Sequence, residues 1–421
     1  MINLNFCRQW ARLASVLLSF VFGSAAVYGQ DISGAWNGKL KVGIQEVTMV
    51  LHIDSSKHEV TMAVIEQGGV DMPMEVEYLR EDSLCATLPK NAIRIMGRMS
   101  DGVLKSVFSQ GLMSFKIDFD RGEPTFNRPQ TPMPPYPYRT EEVTFTNPSA
   151  QVTLAGTLTY PVGYKKKKHP PVVLMVTGSG PENRDEEMFY HRPFLVLADW
   201  LARHGIASLR YDDRGVGQST GQHSEATTQD FADDAEAGLT YLKGMGRFSK
   251  VGILGHSEGG GIAYMLGSKG IPDFIVSMAG PACKIDTMMM VQLNLISRSQ
   301  GATADVVQTP QAARIYMKMT GGGKWMDYFL DWNVEPYVSA TRCPVMALGG
   351  ENDLNVPPSI NHEALMRCLP DHAQNLVKVY PGLSHLFHHN PTGNPMKAAF
   401  IEETIAPEVL TDIATWINQL K

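Results

Sequence analysis

Cysteine is scarce in this chain, which has five in 421 residues. Cys7 lies close to the N-terminus, and no CxxC spacing joins the remaining four, which are Cys85, Cys283, Cys343 and Cys368. A bridge between Cys343 and Cys368 is one option, but the sequence does not choose among three pairings of the four or none. Four free cysteines is the favoured interpretation.

Charge of either sign is also limited. Charged residues make up 19% of the chain and the formal net charge is -6. No basic field is available for nucleic acid, so the sequence predicts no nucleic-acid partner. The 43% hydrophobic content is ordinary for a soluble globular protein, and the length favours two domains because single cores seldom grow past about 250–300 residues.

Long apolar runs are missing beyond the N-terminus. Residues 1–29 carry Arg8 and Arg12, an apolar run at 13–22 and small residues near the end, which is the layout of a secretory signal peptide. A membrane anchor is the alternative, but the run is shorter than the roughly 20 residues that a spanning helix needs. We therefore expect an exported protein, periplasmic or secreted, with no membrane association after signal cleavage.

The next part of the chain predicts a small β-rich domain at residues 30–125. Apolar and polar residues alternate there, with frequent turn residues, which is typical of an antiparallel barrel or sandwich. A linker at 126–140 follows, in which RPQTPMPPYPYR favours an extended connector. The sequence does not reveal what the β domain does.

From residue 141 to 421 the pattern predicts an α/β domain. A β-hairpin opens it, and buried-type strands such as VVLMV and VGILGH then alternate with amphipathic helices, as in a doubly wound, mostly parallel sheet. Residues 281–342 interrupt the alternation and predict a helical cap insertion over the strand ends. Its methionine cluster is compatible with core packing or with a pliable pocket lining.

The segment GILGHSEGGG contains a GxSxG motif centred on Ser257. The motif alone is weak evidence, but here an apolar strand precedes it and a glycine-rich helix follows it. A serine on a sharp strand-to-helix turn is the setting of a nucleophile. Ser257 is therefore predicted to be the catalytic nucleophile.

A serine nucleophile needs a base, and the base needs an acid that orients it. The order Ser, acid, His expected of such a sheet is met by GGENDLNVP and LSHLFHH, each of which follows a predicted strand. Asp353 is favoured over Glu351 as the acid. His385 is favoured as the base over the two histidines that follow it.

Two backbone amides are predicted to hold the oxyanion. One is that of Glu258, directly after the nucleophile. The other belongs to the loop VTGSGPENRD, where Ser179 is the first choice and Gly178 the second.

These segments together resemble the serine-aminopeptidase-like branch of the alpha/beta hydrolase superfamily, and in particular secreted carboxylesterases in which a β-rich domain precedes the hydrolase. The resemblance spans roughly residues 141–421 and covers GSGPENRDE, GHSEGGGIA, GGENDLNVP and LSHLFH. It implies the same triad of Ser257, Asp353 and His385, an oxyanion loop at 178–180, and no metal or cofactor.

The function expected from these features is hydrolysis of small carboxylic esters of short or medium acyl chain through an acyl-enzyme. A serine aminopeptidase is the alternative, with Glu186, Glu187 or a carboxylate of the insertion holding the substrate amine. A non-catalytic binding protein on the same fold is the third reading. The sequence leaves the oligomeric state open.

Overall fold

A computed structural model describes residues 31–42, 45–67, 69, 71–165 and 169–421. The predicted signal peptide at 1–29 lies outside the described residues. The chain divides into two compact units, with the division after Pro124 and with residues 66–69 grouped with the second unit.

The first unit is a single antiparallel sheet of nine strands in the order β4-β3-β2-β1-β9-β8-β7-β6-β5. Alternation places one side of each strand in the core, as in β7, where Ile93 and Ile95 are buried and Arg94 is exposed. Trp36 and Phe119 are fully buried among these inward side chains. The continuous sheet around one core is nearly barrel-like, which fits the barrel prediction better than the sandwich. Its strands are β1 (Gly34–Val42), β2 (Gln45–Asp54), β3 (Glu59–Val64), β4 (Met72–Pro73), β5 (Glu75–Leu79), β6 (Ser83–Leu88), β7 (Ile93–Ser100), β8 (Val103–Gln110) and β9 (Met113–Arg121).

The second unit is built on an eight-stranded sheet in the order β10-β11-β13-β12-β14-β15-β16-β17. The hairpin β10–β11 and its junction with β13 are antiparallel, and every later pairing is parallel. The predicted mostly parallel sheet is thus confirmed. Its strands are β10 (Thr140–Asn147), β11 (Val152–Thr159), β12 (Val172–Val176), β13 (Ala207–Tyr211), β14 (Val251–His256), β15 (Ile275–Met278), β16 (Val345–Gly350) and β17 (Leu376–Tyr380).

Helices cover both faces of this sheet. Val172 and Leu174 of β12 face one core with the helices that follow β13 and β14, whereas Val173 and Met175 face the other core with the first and last helices. The period of two explains why these strands are apolar throughout. The helices are α1 (Pro193–Arg203), α2 (Thr228–Gly244), α3 (Glu258–Ser268), α4 (Ile285–Ser299), α5 (Pro310–Thr320), α6 (Lys324–Asp331), α7 (Glu335–Ala340), α8 (Pro358–Cys368) and α9 (Pro407–Gln419).

The predicted cap is confirmed as a helical insertion between β15 and β16, formed by α4 to α7. Because β12, β14, β16 and β17 are parallel, the loops after them leave the same edge of the sheet, where ligand sites of such folds form. The predicted oxyanion loop, nucleophile, acid and base follow β12, β14, β16 and β17, respectively.

Two further observations concern the described residues only. None of their helices combines the length and apolarity required to cross a bilayer. Cys85, Cys283, Cys343 and Cys368 are free thiols.

Candidate active site

Ser257 occupies a strained turn between β14 and α3. Its backbone has φ 52° and ψ -120°, a conformation that non-glycine residues rarely adopt. The neighbouring glycines let the turn close, since a Cβ on Gly255 would lie 2.0 Å from the carbonyl oxygen of Gly259 and one on Gly259 would lie 2.2 Å from that of Val176. This is the geometry of a nucleophile elbow, which holds its serine out at the end of the sheet.

Asp353 and His385 meet across the loops after β16 and β17. His385 Nδ1 lies 2.8 Å from Asp353 Oδ2. The other oxygen of this buried carboxylate accepts the backbone amides of Asn355 and Val356, each at 2.8 Å. The carboxylate is therefore fixed in place and can orient the imidazole.

The residues that sequence reasoning left as second choices are engaged elsewhere. Glu351 accepts the backbone amide of Gly382 at 2.9 Å. His389 is exposed and pairs with Glu403 at 2.8 Å. His388 is buried and has no contact with Asp353 among those described for either residue.

The loop after β12 lies against the elbow. A Cβ on Gly178 would lie 3.3 Å from Ser257 Cβ. The Gly178 amide already donates to Glu186 Oε1 at 3.0 Å, whereas the described contacts give no partner to the amides of Ser179 and Glu258. Of the three predicted oxyanion donors, Ser179 and Glu258 are therefore the ones with a free N–H.

The Glu258 side chain accepts hydrogen bonds from three separate parts of the site. Its buried carboxylate accepts hydrogen bonds from Ser179 Oγ (2.7 Å), Thr228 Oγ1 (2.6 Å) and the indole of Trp325 on α6 (3.0 Å). Burial raises the pKa of Glu258, while these three donors favour its charged form. The loop after β12, helix α2 and the cap thus all donate to one carboxylate.

A second buried carboxylate, that of Glu186, is connected to His385 through His256. Glu186 Oε1 is 2.8 Å from His256 Nδ1, and His256 Nε2 is 3.0 Å from the backbone oxygen of His385. Burial disfavours a charged His256, but the Glu186 charge outweighs it and raises the pKa of His256 to about 9. His256 is therefore protonated near neutral pH and donates to both partners.

A cavity of about 300 Å³ opens over the elbow and is bordered by Ser257 and His385. Within the described part of the chain, no Asp, Glu, Lys or Arg side chain lines it. Its wall is mainly apolar and comes from the cap and from the loops after β12 and β17, with Met188, Phe189, Met288, Met289, Met317, Trp325, Phe329 and Leu386. The cap methionines that the sequence left between core and pocket do both, since Met288 and Met289 are buried and line the cavity.

Sequence reasoning missed the supporting residues of the site. His256 and Trp325 were given no role, and Glu186 was considered only as a ligand for a substrate amine. The position of His256 next to the predicted nucleophile was the one available signal. His256 and its partner Glu186 are 70 residues apart in the chain, and Trp325 and its partner Glu258 are 67 apart. A local sequence pattern cannot show contacts at such separations.

The sheet order and the elbow agree with a comparison against known families. Residues 190–319 match the family model described as serine aminopeptidase, S33. The fold is that of the alpha/beta hydrolases. The match covers part of the chain and agrees with the resemblance found in the sequence, and the predicted antiparallel β unit precedes this region.

One curated protein similar to this chain is an esterase. Esterase EstD of Thermotoga maritima is 30% identical over 273 residues, which cover 63% of this chain and 65% of that protein. The chain thus spans just under two thirds of this curated relative's length.

Solved structures similar to this chain have lower sequence identity to it. Esterase Pf2001 of Pyrococcus furiosus is 17% identical, with a TM-score of 0.44 and coverage of 67% of this chain and 93% of that one. Proline iminopeptidase of Mycobacterium smegmatis is 18% identical, with a TM-score of 0.44 and coverage of 66% and 98%.

Proposed function

We propose that this protein is a serine hydrolase that cleaves carboxylic esters of short or medium acyl chain. The observation that supports this most directly is the mainly apolar cavity, with no Asp, Glu, Lys or Arg among its described lining residues, over a strained Ser257 and a His385 held by Asp353. The similarity to Esterase EstD points in the same direction.

In the proposed reaction, Ser257 Oγ attacks the ester carbonyl carbon while His385 Nε2 takes its proton. The amides of Ser179 and Glu258 stabilise the negative charge that forms on the carbonyl oxygen. His385 returns the proton to the departing alcohol, which leaves an acyl-enzyme on Ser257. A water molecule, deprotonated by His385, then releases the carboxylic acid.

An aminopeptidase would need a group that binds the substrate amine, and no carboxylate side chain lines the cavity among the described residues. The two candidates from the sequence are engaged, since Glu186 binds His256 and the Gly178 amide, and Glu187 pairs with Arg192 at 3.3 Å. No carboxylate of the described cap residues borders the cavity. An ammonium group there would be desolvated without a counter-charge, which is costly.

The test is hydrolysis of a 4-nitrophenyl acyl series beside an aminoacyl-4-nitroanilide series, with the mature protein and with Ser257→Ala. We expect ester turnover that falls by at least about 10³-fold in the variant. Preferential anilide turnover would establish the aminopeptidase instead. Absence of turnover on both series, with no labelling of Ser257 by a fluorophosphonate, would indicate a binding protein.

We further propose that the protein acts after export. This rests on the composition of residues 1–29 alone. Fractionation of cells that express the full chain, with determination of the mature N-terminus, tests it. Retention of Met1 in a cytoplasmic fraction would contradict export.

A further inference from the structure

His256 is the last residue of β14 and directly precedes Ser257. It borders the cavity, yet its side chain is only 5% exposed and both ring nitrogens are engaged. Nδ1 lies 2.8 Å from Glu186 Oε1, and Nε2 lies 3.0 Å from the backbone oxygen of His385. The ring is therefore not free to act as the base for Ser257, and the mechanism described above gives it no role.

The partners of His256 require a donor at each ring nitrogen. A backbone carbonyl oxygen only accepts, so Nε2 must carry a proton to bind His385. The ionised Glu186 is an acceptor toward Nδ1, and the same oxygen accepts the Gly178 amide at 3.0 Å. Burial disfavours the charged ring, but the Glu186 charge outweighs it and raises the pKa of His256 to about 9. The doubly protonated ring therefore persists at neutral pH.

Burial of this charged pair is costly and points to a purpose besides stability. Taking two charges out of water is expensive, and their attraction often does no more than offset that cost. Glu186 adds backbone strain, since its φ of 53° lies in the left-handed region that non-glycine residues seldom adopt. Strain and buried charge together at the edge of an active site indicate a functional constraint.

The pair connects two loops of the proposed site. Gly178 belongs to the loop after β12 and directly precedes Ser179, whose amide is proposed to hold the oxyanion. His385, the proposed base, lies in the loop after β17. One series of hydrogen bonds runs from the Gly178 amide through Glu186 and His256 to the His385 oxygen. It spans the two sides of the nucleophile elbow.

We propose that Glu186 and His256 are a positioning pair, which fixes the oxyanion loop and the catalytic base relative to Ser257 through hydrogen bonds to Gly178 and to the His385 backbone. The proposal rests on the serine hydrolase function above and assigns positioning residues to that reaction. Both residues act through others rather than on the substrate. Because a small misplacement of a catalytic group lowers the rate steeply, loss of the pair should slow the chemistry more than it weakens substrate binding.

The first test is Glu186→Gln, which keeps the shape of the side chain and an acceptor for the Gly178 amide. It removes the charge that holds the second proton on His256. We expect kcat for a 4-nitrophenyl ester to fall at least about 10-fold, with KM changed by less than about 2-fold. The rate at which a fluorophosphonate labels Ser257 should fall with kcat, because labelling uses the same base and oxyanion amides.

Two substitutions of His256 separate its hydrogen bonds. The amide nitrogen of glutamine lies near the place of Nε2, and that of asparagine lies near the place of Nδ1. His256→Gln therefore keeps a donor to the His385 oxygen, whereas His256→Asn keeps one to Glu186. We expect both variants to be slower than the wild type, with kcat of His256→Gln roughly 3- to 10-fold above that of His256→Asn, as one hydrogen bond contributes.

The control for general loss of stability is a comparably buried ion pair outside this series of bonds. Asp234 pairs with Arg214 at 2.7 Å, and their side chains are 2% and 7% exposed. Asp234→Asn removes one charge of that pair. It should lower the denaturation midpoint while kcat stays within about 2-fold of the wild-type value.

The wild type gives a further test that needs no substitution. Above about pH 9 His256 gives up its second proton and loses one of its two bonds, so the labelling rate should fall there while the protein is still folded. The other titratable groups that face His256 are Glu182 and the pair of Asp353 and His385. Burial and the Glu186 charge raise the pKa of Glu182 to about 8, so that carboxyl group has already ionised.

Several results would overturn the proposal: a folded Glu186→Gln or His256→Asn that reacts as fast as the wild type, a loss confined to KM, a His256→Asn at least as active as His256→Gln, or an equal loss of kcat in Asp234→Asn. A wild-type labelling rate that stays level above about pH 9 would overturn it even where no variant folds. A wild type that is labelled at Ser257 but hydrolyses no ester would instead refute the ester function, and the labelling rates would still decide the positioning role.

Discussion

The Ser179 hydroxyl donates to the Glu258 carboxylate at 2.7 Å, so the two residues proposed to supply the oxyanion amides are joined through their side chains. This bond holds the loop after β12 against the start of α3. An oxyanion donor contributes only if it is already in position when the charge develops. Loss of this side-chain hydrogen bond should therefore slow the chemical step.

We expect Ser179→Ala to lower kcat about 10-fold with little change in KM, because its amide remains but is held less firmly. Glu258→Leu, which removes the acceptor, should have at least the same effect, and the double variant should be little worse than Glu258→Leu alone, since both changes remove the same bond. Steady-state kinetics on one 4-nitrophenyl ester measure this. Thr228→Val, which removes another donor to the same carboxylate, is the control with a smaller loss. Additive losses in the double variant would contradict the shared role.

The buried pair of His256 and Glu186 predicts a loss of stability at alkaline pH. The pKa of His256 is raised to about 9 from an ordinary 6.5. Between these values the folded protein keeps a proton that the unfolded chain has released, so the free energy of unfolding falls as pH rises through the window. Below about pH 6.5 the full contribution is present.

Glu182 must be removed from this measurement, because burial and the Glu186 charge raise its pKa to about 8 and give a slope of the same sign. Chemical denaturation from pH 6 to 9.5 should therefore compare Glu182→Gln with Glu182→Gln/His256→Gln. We expect a shallower fall in the second. The exposed His204→Gln is the control on the same background and should leave the slope intact. Parallel curves for all three would show that His256 does not hold the proton.

The sequence predicts the sheet and the site loops because both depend on local patterns. Apolar runs mark the strands, and parallel strands bring their following loops to one edge, so Ser257, Asp353 and His385 could be placed without coordinates. The glycines of the GxSxG motif also have a defined spacing, so the turn that holds Ser257 could be predicted from the sequence as well.

What could not be predicted is which polar side chains meet across the fold. From the sequence Glu186 was considered only as a group that could bind a substrate amine, yet it is almost fully buried and pairs with His256 and the Gly178 amide. Charge and burial of such a residue are decided by partners far along the chain. His388 shows the converse, since nothing local marks a histidine that ends without a partner.

Arg128, in the segment after Pro124, is expected to help hold the walls of the cavity in place. Its guanidinium donates to the backbone oxygens of Phe189 and Tyr190 at 3.2 and 3.1 Å, and to those of Ala399 and Ile401 at 2.5 and 2.8 Å. Phe189 lines the cavity, and so does Ala398 beside the second pair. One cation thus fixes two of the cavity's wall segments.

We expect Arg128→Gln to lower the free energy of unfolding by about 1–3 kcal/mol, because a glutamine side chain cannot satisfy four carbonyl oxygens. KM for apolar esters should rise as well, because the wall loosens. Denaturation and ester kinetics measure the two effects. Arg139→Gln, an exposed arginine of the same segment paired with Glu141, should change stability by less than about 1 kcal/mol. Equal effects of the two substitutions would contradict the assignment.

Substitution by alanine is expected to have opposite effects on stability at Gly259 and at Gly244. A Cβ on Gly259 would lie 2.2 Å from the Val176 oxygen and 2.5 Å from that of Thr177, and neither backbone atom can move without shifting the end of β12. Gly244, at the end of α2, has nothing within 4 Å of its Cβ position and no positive φ.

Gly259→Ala should therefore cost several kcal/mol, with a larger loss of ester turnover than of fold, because the displaced Thr177 carries the oxyanion loop with it. Gly244→Ala should instead stabilise by up to about 1 kcal/mol, since alanine loses less backbone entropy on forming a helix. Denaturation midpoints and kcat for both variants decide the matter. A Gly259→Ala protein as stable and active as wild type would mean that α3 can slide along the sheet, and the elbow would then not be the rigid support that the proposed mechanism requires.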